Sequence, residues 1–302
     1  MFLEDISQTP AFGKSVRVYE VYPDTIDHLY QHGNVPIPSN SPVYPNQPLI
    51  LKAGQQKSAL AIVNREGDAL LPASDNISYF NIRGRNKEQV LLQNIFQNPD
   101  IRVIIVTGAA GTGKTTLIGG HVLHQIMEVN AFKRLLLSKP LEIVTASRYW
   151  GTVPGDEHDK FGPFLKSYQI MFEGLCGDKG DAYVQTAMTN GVIQFFPLEL
   201  MRGASLKNCI MWYDEAQNLN HHEMNTLGSR MDDTGKSKLI LSGDLYQQDR
   251  SGVEGDKAGL SKLAQSNHFL NSPHTAHVHL IKNERGVISQ LFFDVFDKDR
   301  RQ

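Results

Sequence analysis

Gly108, Ala109, Ala110, Gly111, Thr112, Gly113, Lys114 and Thr115 stand in a spacing that suits one task, the holding of a polyphosphate. They follow the apolar run RVIIVT and lead into TTLIGG, so the loop joins a strand to a helix. Glycines let the backbone turn tightly and aim its N–H groups at a β-phosphate, at a helix N-terminus whose dipole favours an anion. In that setting Lys114 reaches the β- and γ-oxygens, and the Thr115 hydroxyl is a ligand for Mg2+. Thr116, next in the helix, completes the set expected to line a bound ATP. A Gly-rich turn with no ligand is the bland alternative, and the strand–loop–helix context argues against it.

Two further segments carry chemistry. In CIMWYDEAQN (Cys209–Asn218) an apolar run leads to Asp214 and Glu215 at the C-terminal end of a strand. Ligands of open α/β sheets sit at that end. Asp214 is expected to hold the Mg2+ shell, and Glu215 to orient and deprotonate the attacking water. A glutamate in this place favours hydrolysis by water over transfer to a metabolite. In KLILSGDLYQQD (Lys238–Asp249) a second buried strand ends at Gly243-Asp244, with Gln247 just beyond. An amide there can hydrogen-bond both the γ-phosphate and the water. The competing readings are an acid pair on a surface turn and a polar loop.

The elements that must position these groups are strands alternating with helices from about Asn86 onward. Apolar strand candidates are Arg102–Thr107, Arg134–Lys139, Val192–Pro197, Cys209–Asp214, Lys238–Asp244 and His277–Lys282. Their near-continuous apolar character suits strands buried on both faces of a parallel sheet, hence a doubly wound α/β core. The first eighty or so residues read differently. Ser15–Tyr22 alternates like a strand, DTIDHLYQHG suits a short helix stopped by Gly33, and residues 36–48 are rich in Pro and Asn. PLILKA, SALAIVNR and ALLP, with a turn at Glu66-Gly67-Asp68, add three strands. The expected division is a small β-rich subdomain over 1–82 and an ATPase domain over 83–302.

Composition excludes little. The 302 residues are 40% hydrophobic and 21% charged, with a net charge of −2, so nothing global advertises a nucleic acid. No apolar run approaches the roughly 20 residues of a membrane span. The N-terminus MFLEDISQTP lacks a basic-then-apolar signal pattern. Two cysteines, Cys176 and Cys209, make no disulfide framework, so a cytoplasmic protein with no membrane partner is expected.

Together the three site segments resemble the PhoH family of P-loop ATPases, related to the helicase-like core of superfamily one. SKPLEIV followed by GTVPGD (residues 138–156) and FFPLELMRGASLKNCIMWYDEAQN also match, so the resemblance runs from Asn86 to about Phe296. Lys139 stands where an arginine is commoner, and Ala204-Ser205 replaces a usual second arginine after Arg202-Gly203. YPDTIDHLYQHGNV and NQPLILKAGQQKSALAIV are similar to the connector of fused PIN–PhoH proteins. The PIN part itself is missing before Tyr22, so no nuclease activity is expected here, and a separate PIN-type nuclease is a candidate partner. The resemblance implies a RecA-like core with an N-terminal β-rich subdomain, using ATP and Mg2+ to drive work on single-stranded RNA.

The resemblance also divides some readings. A glutamine at the place of Gln89 reads the adenine edge in superfamily-one helicases, yet Asn86 with Gln89 three residues on is also a capping box. Arg285 resembles an arginine that stabilises γ-phosphate charge, with Arg230 and Arg202 as competitors. Only one such core fits this length, so a finger must come from a neighbour, and a homo-oligomeric ring, a hexamer, is expected. Lys160, Lys166, Tyr168 and Trp150 form a basic–aromatic mix suited to a single strand, or equally to helix packing. His268, His274, His277 and His279 invite a zinc reading, which their spacing does not support. A rival of another class is an ATP-gated regulatory or assembly module acting on a protein.

Overall fold

The computed structural model describes residues 3–7, 12–140, 157–177, 180–201, 203–232, 234–247, 250, 253, 257–284 and 286–296. Segment 141–156 with Trp150, and the arginines at 202 and 285, lie outside the described residues.

The chain opens with β1 (Glu4–Asp5) and β2 (Arg17–Glu20), then α1 (Pro23–His32) and β3 (Val35–Pro36). Pro23 starts α1 and Gly33 ends it in the left-handed conformation (φ 74°), with its N–H on the Leu29 carbonyl. β4 (Pro48–Ala53), β5 (Lys57–Val63) and β6 (Ala69–Pro72) follow. These strands form one sheet, ordered β1-β2-β4-β5-β6-β3. β2 and β4 run parallel because α1 and β3 intervene, while the tight connections make β4–β5 and β5–β6 antiparallel. Ile26 and Leu29 of α1 join Leu49, Leu51, Ala61 and Leu70 in its core.

A short hairpin, β7 (Ser78–Tyr79) and β8 (Ile82–Arg83), leads to α2 (Lys87–Gln97). The second sheet takes β9 (Val103–Gly108), β10 (Arg134–Ser138), β11 (Ile193–Phe195), β12 (Cys209–Tyr213), β13 (Lys238–Gly243) and β14 (Thr275–Leu280). Its order is β11-β10-β12-β13-β9-β14, with parallel neighbours throughout. The phosphate-loop strand β9 therefore lies between β13 and β14, one strand away from β12 with its acidic end. This is a RecA-like arrangement.

Both faces of that sheet are covered. Ile104, Val106, Leu135, Leu137, Ile210 and Trp212 pack one way, towards α2, α3 (Lys114–Leu123) and α4 (Glu157–Cys176). The alternate residues Ile105, Leu136, Met211, Tyr213, Leu239 and Leu241 pack the other way. There they meet α6 (His221–Gly228) and α7 (Gly259–Gln265). α5 (Gly180–Thr189), α8 (Asn267–Asn271) and α9 (Val287–Phe296) complete the elements named here. Continuous apolar runs are what two-sided burial demands. The last strand lies two residues earlier than the apolar pattern suggests, at Thr275–Leu280 rather than His277–Lys282. Its register is set by pairing Thr275 with Val103, and His277 is buried with Nε2 2.8 Å from the Thr107 hydroxyl. His279 reaches the same hydroxyl through Nδ1 at 2.9 Å, so the two histidines share one strand face.

Lys14 ties the two sheets together. Fully buried, it donates to the carbonyls of Pro45 and Ser272, both at 2.9 Å. Burial lowers its pKa to about 7. Below that value lysine is charged in both the folded and unfolded states, and the cost of burying the charge is fully present. Between about 7 and the ordinary 10.5 the unfolded chain holds the extra proton, so stability rises with pH. Lys238, buried and lowered to about 8, acts in the same sense. Comparison with Lys14→Met cancels that background. Wild type is expected to gain on Lys14→Met from pH 7 to pH 10, by at most ~1.4 kcal/mol per pH unit, as read by guanidinium unfolding.

Candidate active site

The loop after β9 is shaped by its glycines. Gly108, Gly111 and Gly113 have φ of 151°, 87° and 89°, values that favour glycine. A Cβ on Gly108 would also run into the Leu280 carbonyl on β14. Gly113 is the N-cap of α3, so Lys114 and Thr115 open the helix as the motif requires. Lys114 Nζ lies against the loop, donating to the carbonyls of Gly108 (2.7 Å) and Ala109 (3.0 Å). Thr112 closes the turn by donating its hydroxyl to the Ala109 carbonyl at 2.8 Å.

Gln89 braces this loop from α2. Its amide donates to the Thr112 carbonyl (3.0 Å) and accepts from the Arg85 N–H (2.8 Å). The capping box is thus half formed. Asn86 Oδ1 accepts from the Gln89 N–H (3.0 Å), but the Gln89 side chain reaches the backbone one residue before the cap. The bonds to Thr112 and Arg85 use one N–H and one lone pair of the Gln89 amide, which also lines the cleft. Glu284, after β14, adds a second brace: its N–H donates to the Gly111 carbonyl (3.0 Å) and its carboxylate accepts from Asn86 Nδ2 (2.8 Å). The Asn86 bond comes first among the causes that hold the Glu284 pKa below its ordinary value.

At the end of β12, Asp214 is half-buried and accepts three hydrogen bonds. They come from Ser242 Oγ (2.6 Å) and the Glu215 N–H (3.1 Å) on Oδ1, and from Tyr168 (2.8 Å) on Oδ2. Tyr168 is buried, and burial, followed by the Asp214 charge, pushes its pKa far up. It is a partner of the site carboxylate, not a stacking surface for a nucleic acid. Glu215 has a left-handed backbone (φ 54°, ψ 38°), a strained conformation for a residue other than glycine, costing about 1 kcal/mol or more. Its exposed carboxylate accepts from Gln217 Nε2 at 2.7 Å.

Gln217 is fully buried and joins the two acidic strand ends. Besides Glu215, it donates to the Gln247 carbonyl (3.0 Å) and accepts from the Asp244 N–H (3.1 Å). A Cβ on Gly243 would strike its amide oxygen, so glycine before Asp244 is a condition of this bridge. Gln217, Ser242 and Glu284 escape the sequence reading. Ser242 does leave a trace there, a polar residue within the apolar run KLILSGD.

Lys114, Thr115, Thr116, Asp214, Glu215 and Gln247 all line a single cleft of about 640 Å3. Ala110, Gly111, Gly113, Gln89 and Glu284 line it too, with Arg83 and Arg85 on the β8 side. The size suits one nucleotide-sized ligand. Of the other motif residues, Gly108, Ala109 and Thr112 shape the loop from behind. Arg230 is half-buried, two residues after the end of α6, and its carbonyl accepts from the Leu206 N–H. No helix among the described residues is long and apolar enough to cross a membrane.

Comparison with known proteins finds relatives of this chain. The chain is 30% identical over 256 residues to the protein PhoH2 of Bacillus subtilis, covering 83% of this chain and 57% of that protein. It is 28% identical over 274 residues to PhoH2 of Thermobispora bispora, covering 90% and 60%. The chain therefore spans about three fifths of the length of these relatives. Among solved structures, the Pif1 helicase from Candida albicans aligns with 72% of this chain and 44% of its own, at 18% identity and a TM-score of 0.37. The sequence profile of the PhoH-like proteins matches residues 81–297, the stretch that holds the whole cleft. With its phosphate loop, acidic strand end and parallel sheet, this chain belongs to the PhoH family of P-loop NTPases.

Proposed function

We propose that the chain hydrolyses ATP and uses the cycle to bind and unwind RNA, working as a homo-oligomeric ring, a hexamer. In this reading residues 83–302 are the motor and residues 1–82 a β-rich subdomain docked on it. The observation that carries the ATPase part is the convergence of Lys114, Thr115, Asp214, Glu215, Gln247 and Gln89 on one cleft.

The donor set fits Mg2+. Thr115 and Asp214 offer hard oxygen ligands in the same cleft, and Asp214 keeps one lone-pair site beyond its three hydrogen bonds. When bound there, the cation neutralises charge on the β- and γ-phosphates. Lys114 exchanges its loop carbonyls for phosphate oxygens. Glu215 holds the attacking water and takes its proton. Gln217 keeps Glu215 and the Gln247 segment at a fixed distance, so that Gln247 senses whether the γ-phosphate is present. Gln89 supports the loop and offers its remaining amide valences to adenine. An arginine from a neighbouring subunit, Arg285 before Arg230 and Arg202, completes the charge balance.

The RNA part rests on the resemblance to PIN–PhoH proteins, whose ATPase module is associated with RNA unwinding. The test is ATP turnover with and without single-stranded RNA, with Lys114→Ala as blank. Severalfold stimulation that weakens as salt rises is the expected outcome, because phosphate contacts release counterions. Turnover indifferent to RNA would leave the ATPase and move the partner to a protein. Wild-type turnover no higher than the blank would remove the ATPase reading.

A further inference from the structure

Each hydrogen bond to Asp214 comes from a different part of the chain. Glu215 supplies its own N–H, Ser242 reaches in from β13, and Tyr168 from α4. Ser242 Oγ in turn accepts from Trp212 Nε1 at 2.7 Å. A carboxylate has about four lone-pair sites. With both sites of Oδ1 used, the remaining one belongs to Oδ2, beside the Tyr168 bond.

Tyr168 is held firmly enough to fix that geometry. It is 4% exposed, its ring meets Trp212 edge-on (5.3 Å, 81°), and Lys139 Nζ lies 5.9 Å from the ring centre. The hydroxyl has Asp214 as its acceptor across 46 residues of sequence. α4 belongs to the stretch between β10 and β11, which contributes no residue to the lining of the cleft among the described residues, so its link to the cleft runs through Asp214.

We propose that Tyr168 is a positioning residue for the cation site. Its hydroxyl fixes the Asp214 carboxylate so that the last lone pair of Oδ2 faces the cleft. α4 thereby becomes part of the metal site, and cation binding and α4 placement favour each other reciprocally. The proposal rests on the reading that Asp214 holds the Mg2+ shell. Donors behind a metal ligand commonly change metal affinity by about tenfold or more.

Tyr168→Phe keeps the ring on Trp212 and removes only the hydroxyl. Binding of a fluorescent ATP analogue to the full chain is measured in EDTA and across a Mg2+ titration. The expected result is an apparent Mg2+ affinity lowered by about tenfold, with nucleotide affinity in EDTA unchanged. A packing defect would instead lower both. Unchanged Mg2+ dependence in Tyr168→Phe, alongside its loss in Asp214→Asn, overturns the proposal and spares the reading of Asp214. Unchanged dependence in Asp214→Asn overturns that reading, and the proposal with it. A second measurement needs no change at Tyr168. The chain has two tryptophans, so in Trp150→Phe the emission reports Trp212 alone. Adding Mg2+ to the nucleotide complex is expected to shift that emission through Ser242 and Tyr168, and an unmoved spectrum overturns the coupling.

Discussion

Glu215→Gln is expected to bind ATP as tightly as the wild type and to turn it over about 10^3-fold more slowly. The substitution is close to a removal of charge alone. Glutamine still offers an oxygen to Gln217 Nε2, so the bridge to Asp244 and Gln247 survives. It is also no worse suited than glutamate to the left-handed backbone at φ 54°. Because the side chain is exposed, the fold should keep its stability within about 0.5 kcal/mol. What disappears is the group able to accept a proton from water. Equilibrium binding of a fluorescent ATP analogue and phosphate release, measured on the same preparation, separate the two effects. Turnover retained within a few-fold would mean that the base lies elsewhere, and Asp244 at the end of the neighbouring strand would be next in line.

Asp214, Glu215 and Gln247 could be placed at one end of the sheet from sequence because each follows an apolar run that has to be a strand. Parallel strands deliver their C-terminal ends to the same edge, so spacing along the chain becomes proximity in space. The phosphate loop was legible for a different reason: its geometry is local, set by glycines at fixed offsets. Contacts between elements were not legible. Gln217 bridges to residues 27 and 30 positions away only because β12 and β13 pair in one register. Tyr168 carries no local sign that its hydroxyl ends on Asp214, since a basic–aromatic helix reads equally as a surface for nucleic acid. The bracing of the loop by Gln89 and Glu284 also depends on where α2 and the end of β14 come to lie. Apolar pattern places an element, but which polar atoms then meet is decided by packing.

Lys114→Ala is expected to act differently from Glu215→Gln, lowering both ATP affinity and turnover. Lys114 Nζ now satisfies two loop carbonyls, those of Gly108 and Ala109. In the proposed reading the N–H groups of the same loop face the phosphates, so the ammonium would offset negative charge on either side. Alanine at the first residue of α3 is a good helix former, and the positive φ values at Gly111 and Gly113 do not depend on the lysine. The loop should therefore persist without its charge. Loss of one preorganised donor at a developing anion costs about 10^2- to 10^3-fold in turnover, and the ground-state attraction for the polyphosphate falls as well. Lys114→Arg is not expected to rescue, because a planar fork cannot occupy the space of a compact ammonium between two carbonyls. Titration calorimetry with ATP gives the affinity, and phosphate release gives the rate. If Lys114→Ala bound ATP normally and lost only turnover, the lysine would act on the transition state alone. Ground-state phosphate binding would then fall to the loop N–H groups and the cation.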